Sequence, residues 1–183
     1  MIWYSNRIPD SRKPDIRGLS VYAIENEGIL SNNLKKKNLN TIYKADGSFV
    51  PADTFPCAWG KIGLGIKAFD LMDNNSNIYG IQSLKLFCDD KIIFSYDISS
   101  FSFDETRYVN ALIDYEAWYR SRSLVMKSWL EPGNKLSVLK ADSNRGIVDI
   151  NEERDYKFRY VLSDRSGNES VSEFIVKGRK MTI

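Results

Sequence analysis

Apolar residues fall on alternate positions in several stretches of this chain, which is the period of a strand with one buried face. Ile62, Leu64, Ile66 and Ala68 alternate with Gly63, Gly65 and Lys67. A strand ending near Asp70 therefore buries the first set and turns the glycines and the lysine to its other side. Tyr156, Phe158, Tyr160 and Leu162 repeat the pattern, and Asp164-Arg165-Ser166-Gly167-Asn168 then turns the chain into a partner at 172–176. This is the clearest hairpin in the sequence. A second is expected where 79–88 and 91–96 flank Asp89-Asp90. The first strand is expected over 16–24, ending at Glu25-Asn26-Glu27-Gly28. Short strands at 127–129 and 135–139 flank the turn Pro132-Gly133-Asn134, and 146–150 adds another. The stretch 31–56, which holds Asn32, Asn33, Asp46-Gly47 and two prolines, reads as a long excursion with a short strand at 41–43.

One stretch carries a helical pattern. Over 105–120, Val109, Leu112, Ile113, Glu116 and Ala117 give a partly apolar face, and Asp104 stands where a cap is needed. About eight strands and one short helical insertion predict a mainly β domain, an antiparallel two-layer sandwich. The expected organisation is a turn-rich linker over 1–14, with Pro9, Asp10, Ser11 and Pro14, then the sandwich over 15–178 and a tail over 179–183.

With 183 residues, 43% of them hydrophobic, the chain is long enough for a good-sized core. Lys and Arg number 26 against 24 Asp and Glu, a formal charge of +2, so no electrostatic footprint for nucleic acid is present. Lys35-Lys36-Lys37, beside Asn32, Asn33 and Asn38, reads as a solvated loop. No apolar run reaches the 18 residues of a membrane span, and residues 1–7 lack the basic start, apolar stretch and cleavage site of a signal peptide. Cys57 and Cys88 are equally consistent with one disulfide and with two buried free thiols.

The chain contains no histidine. Ser-His-Asp and Cys-His nucleophile systems need an imidazole to carry the proton, and ordinary zinc hydrolase sites need histidines to hold the metal. None can be built here. The glycines at 60, 63 and 65 distantly resemble a phosphate loop, but the pattern continues as a strand, so they read as structural. Asp104, Glu105, Asp114 and Glu116 supply carboxyl groups of the kind a glycosidase pairs across a bond, although charges at this density form a solvated face more often. Asp70, Asp73, Asn75 and Asn77 offer hard oxygen ligands to calcium; their spacing matches no EF-hand, and a turn that satisfies its own backbone is the simpler reading. Trp118, Tyr119 and Trp129 are the aromatics on which a sugar would stack, set against the commoner use of such rings in a core or against a neighbouring domain.

A set of short motifs runs through nearly the whole chain: Ile8-Pro9-Asp10, Pro14-Asp15-Ile16, Leu19-Ser20-Val21-Tyr22, Ala58-Trp59-Gly60, Gly65-Ile66-Lys67-Ala68-Phe69-Asp70, Asn77-Ile78-Tyr79-Gly80-Ile81, Phe101-Ser102-Phe103-Asp104-Glu105-Thr106-Arg107, Asp155-Tyr156 and Asp164-Arg165-Ser166-Gly167-Asn168. In this order they resemble the region downstream of the catalytic domain in lysostaphin/LytM-type zinc peptidases of Bacteroidetes, metallopeptidase family 23. The resemblance implies an immunoglobulin-like or fibronectin type III-like sandwich, with residues 1–14 as the exit from an upstream peptidase domain. It also implies a chain that is a fragment of a periplasmic or cell-envelope enzyme. The histidines and aspartate that hold zinc in that family have no counterpart here, so zinc, and cleavage of peptidoglycan, are implied only for the missing domain. The expected role is a non-catalytic accessory domain that positions or caps its catalytic neighbour. The alternative is a free-standing carbohydrate or cell-wall binding module.

Overall fold

The computed structural model describes residues 10–52, 56–71, 73, 78–98 and 110–181. The first strand, β1 (Asp15–Leu30), runs well beyond 16–24 because its register with its neighbour shifts between Ile16 and Gly18 and again between Ala23 and Gly28. Such bulges bend a strand without ending it, so the stretch at 25–28 that reads as a turn is an irregularity inside a strand. The excursion expected over 31–56 contains two strands, β2 (Lys36–Tyr43) and β3 (Phe49–Pro51), joined by a turn in which Asp46 accepts the Ser48 N–H at 2.9 Å. Lys36 and Lys37 lie in β2, paired with Tyr22 and Val21, so the lysine triplet is not the solvated loop it resembles.

The next strand, β4 (Cys57–Leu71), organises the rest. One edge pairs with β1 over most of its length. Its other edge is shared among β8 (Met126–Lys127), β10 (Val148–Ile150) and β12 (Glu169–Gly178), and β5 (Ile78–Tyr79) pairs with its last two residues. The hairpins read from the alternation are present as β6 (Ser83–Cys88) with β7 (Lys91–Asp97), and as β11 (Asp155–Ser163) with β12. The short β9 (Leu139–Ala141) pairs with β7, so 127–129 and 135–139 are not partners of each other across the Pro132-Gly133 turn.

The architecture is mainly β and mostly antiparallel, with one short helix among the described residues. Two parallel pairings change its shape. β12 meets β3 at Ser172 and Phe49, and meets β4 at Lys177 with Cys57 and Gly178 with Ala58. The circuit β4, β1, β2, β3, β12 and back to β4 is therefore a closed five-stranded barrel, and from β12 the sheet continues outward through β11, β6, β7 and β9. The two separate layers of an immunoglobulin-like or fibronectin type III-like sandwich are not what this pairing gives. Alternation reports which face of a strand is buried and is silent about which edge finds which partner.

The barrel and its extension share one core. Leu19, Val21, Leu39, Ile62, Leu64, Leu84, Leu86, Phe158, Tyr160, Leu162 and Val176 are all at most 1% exposed. Both faces of β4 are covered, because Trp129 lies against Gly63. A Cβ on Gly63 would stand 2.7 Å from that indole ring, so glycine is what lets the ring approach the strand. The helix α1 (Tyr115–Ser121) starts at Asp114, whose side chain accepts the Ala117 N–H at 3.0 Å. It is much shorter than 105–120: Asn110–Leu112 form a single 3-10 turn and Ile113 bridges to Met126, while Asp104 and residues 105–109 lie outside the described residues. Among the described residues, no helix is long and apolar enough to cross a membrane.

Candidate functional site

Three segments remote in sequence meet at one end of the barrel: residues 10–14 just before β1, the end of β4, and the turn between β11 and β12. They bring Asp10, Asp70 and Asp164 together, with one carboxylate oxygen from each lying within 4.8 Å of the others. Asp70 is 7% exposed and Asp164 4%, whereas Asp10 is half-buried. The Asp164 carboxylate accepts the Asn168 N–H at 2.8 Å and the Asn168 side-chain amide at 2.7 Å. Asp10 Oδ1 accepts the N–H groups of Arg12 and Asp73, at 3.1 and 3.2 Å. Among the described residues Asp70 Oδ1, which is buried, has no hydrogen-bond partner. Burial first, then the charges of Asp164 and Asp10, push the Asp70 carboxyl above its ordinary range, with a hydrogen bond from the Leu71 N–H and then the Arg12 charge acting weakly the other way. Among the described residues no lysine or arginine is ion-paired with any of the three.

The same end of the barrel holds the incoming chain. Asn168 donates its side-chain amide to the Asp10 carbonyl at 3.0 Å, Ser11 donates both its N–H and its hydroxyl to Asp73 at 2.8 Å, and the Ser170 hydroxyl donates to the Pro14 carbonyl. Those bonds hold the Asp73 carboxyl below its ordinary range. Of the four calcium candidates read from the sequence, Asp70 joins the cluster and Asp73 is engaged by Ser11 beside it. Asn75 and Asn77 lie outside the described residues. Asp10 and Asp164 were not among those four. Both stand in turn-forming stretches whose distance from Asp70 along the chain hides their convergence, and the only signal was a charged residue next to each turn.

A second acidic centre lies where α1 meets β1 and β2. Asp114, 9% exposed, accepts from the Lys36 ammonium at 2.5 Å, from the Tyr22 hydroxyl at 2.7 Å and from the Ala117 N–H. Burial alone would raise its carboxyl; the three donors and the Lys36 charge outweigh that and hold it below the ordinary value. Burial and the neighbouring Asp114 push the Tyr22 phenol in the opposite direction, upward. The Tyr22 ring meets Trp129 edge-on at 5.1 Å, and the Lys36 ammonium sits 5.0 Å from its centroid. Asp114 is thus committed to helix capping and charge pairing, and Glu116 is an exposed partner of Arg120 at 3.1 Å. Glu105, like Asp104, lies outside the described residues.

The three candidate sugar-stacking residues separate. Trp129 is 6% exposed beneath β4, which removes it as a surface platform. Trp118 and Tyr119 are exposed on α1, at 39% and 72%, and Tyr115 stacks on Tyr119 with ring centroids 6.3 Å apart. The Arg122 guanidinium lies 5.3 Å from the Trp118 ring centre. Cys57 and Cys88 are half-buried free thiols, and burial pushes Cys88 up to about 12, so it stays protonated at neutral pH. Comparison with family models, with curated proteins and with solved structures finds no match for the chain.

Proposed function

We infer that this chain is a non-catalytic accessory β domain that fixes the position of a neighbouring unit joined through its N-terminal segment. The single observation that carries this reading is the fastening of residues 10–14 to the barrel through Asp73, Asn168 and Ser170, which fixes the segment leading into β1. The motif resemblance supplies the neighbour: a zinc peptidase of the cell envelope acting on peptidoglycan, with the zinc held entirely by that domain. The absence of histidine from the chain agrees with this division of labour. On this reading the barrel takes the part that immunoglobulin-like or fibronectin type III-like modules take beside catalytic units. Two experiments test it. The reading frame upstream of Met1 should encode a domain with a His-x-His pair, and the 183-residue chain supplied with zinc should release nothing from peptidoglycan. Turnover by this chain alone overturns the reading.

The exposed Tyr115, Trp118 and Tyr119 favour one second reading, a carbohydrate or cell-wall binding module. Retention of the chain on purified peptidoglycan, abolished by Trp118→Ala with Tyr119→Ala, supports it. Equal recovery of the double variant and the parent counts against it.

A further inference from the structure

We propose that Asp10, Asp70 and Asp164 form a calcium site that ties the segment preceding β1 to the end of the barrel. Three carboxylates with mutual oxygen distances under 4.8 Å repel one another, and two of them are almost wholly withdrawn from water. Elsewhere in this molecule a buried acid is given a cation: Asp114 has Lys36. Here, among the described residues, no ammonium or guanidinium is paired with the group, and Asp70 Oδ1 is buried without a hydrogen-bond partner. A buried acceptor without a partner is uncommon and calls for a physical explanation, of which a bound ion is one. A divalent cation between the three carboxylates satisfies that oxygen and offsets the repulsion in one step.

The donor set determines which cation. All three side chains offer hard oxygens; the chain has no histidine, and neither cysteine belongs to the cluster. Zinc and copper prefer nitrogen and sulfur, which leaves the oxygen-seeking cations calcium, magnesium and manganese. Magnesium keeps several of its waters and demands a near-ideal octahedron, whereas calcium accepts irregular shells of carboxylates at short range. Carboxylates from three unrelated segments, two of them buried, fit calcium. Their hydrogen bonds to Asn168, Arg12 and Asp73 orient the Asp164 and Asp10 carboxylates and leave further lone pairs free. The ligands come from the incoming chain, the end of β4 and the β11 to β12 turn, so one ion would cross-link all three. This inference does not depend on the identity of any upstream domain.

The test is a calcium titration of the purified chain after chelator treatment, by calorimetry and by thermal melting. One ion per chain is expected, with a Kd in the range of about 10⁻⁴–10⁻³ M typical of extracellular modules. The melting temperature should rise by about 5–10 °C when calcium stands a hundredfold above Kd. Asp70→Asn should fold, because its amide relieves the repulsion, and should lose at least about tenfold in affinity together with the calcium-dependent rise. Asp10→Asn, which lies outside the strands, serves as the second variant and should weaken binding in the same way. No binding at about 10 mM calcium, binding as tight in both variants as in the parent, or equal affinity for magnesium overturns the proposal.

Discussion

Asp114 and Asp70 are both carboxylates removed from water at the end of a structural element, and the molecule treats them differently. Asp114 receives an ammonium, a phenol and a backbone N–H, and its carboxyl is held below the ordinary range. Asp70 faces two further carboxylates, keeps one oxygen unpartnered among the described residues, and its carboxyl is pushed upward. The difference separates two uses of a buried charge. The first centre is complete in itself and locks α1 onto β1 and β2; the second, on the proposal made above, is completed by a cation supplied from outside.

The largest effect expected from breaking this contrast is at Asp114. Asp114→Ala uncaps α1 and strands both Lys36 and the Tyr22 hydroxyl, which should cost about 2–4 kcal/mol in a urea denaturation series, the partial exposure of Lys36 holding the figure below that of a fully buried pair. The same group should sharpen the acid limb of the stability curve. Its folded pKa is depressed, so its contribution is present above the unfolded value of about 3.9 and is lost as pH falls through the folded value. Asp114→Asn should flatten that part of the curve below about pH 4.

Smaller effects follow in order. Tyr22→Phe removes one donor while keeping the ring against Trp129, and should cost about 1–1.5 kcal/mol. Asp70→Asn, measured without calcium, should move stability the other way, a gain of about 0.5–1 kcal/mol from relieved repulsion. Arg120→Ala breaks only the exposed pair with Glu116 and should change stability by less than about 0.5 kcal/mol.

Strand period was readable wherever one face meets the core. Tyr156, Phe158, Tyr160 and Leu162 are all buried, as are Ile62, Leu64, Ile66 and Ala68, and the hairpins at 83–97 and 155–178 follow from the pattern. Barrel closure was not readable, because it rests on two short parallel pairings of β12 that leave no periodic mark. The length of β1 was hidden by bulges around residues that normally make turns. The Asp/Asn-rich surroundings of Asp70 mark it as a calcium candidate beside the simpler reading as a turn, but its neighbours in the cluster were not legible, since Asp10 and Asp164 reach it only through the fold. The packing of Trp129 was not legible, because nothing in the sequence says that Gly63 opens a slot for its ring.

The account turns on whether the two acidic centres differ in needing a cation, and a crystal structure grown in calcium, with an anomalous difference map, tests this most directly. One peak is predicted among the carboxylates of Asp10, Asp70 and Asp164, with none at Asp114. An empty cluster in which Asp70 and Asp164 approach to hydrogen-bonding distance, sharing a proton in place of a metal, would contradict it.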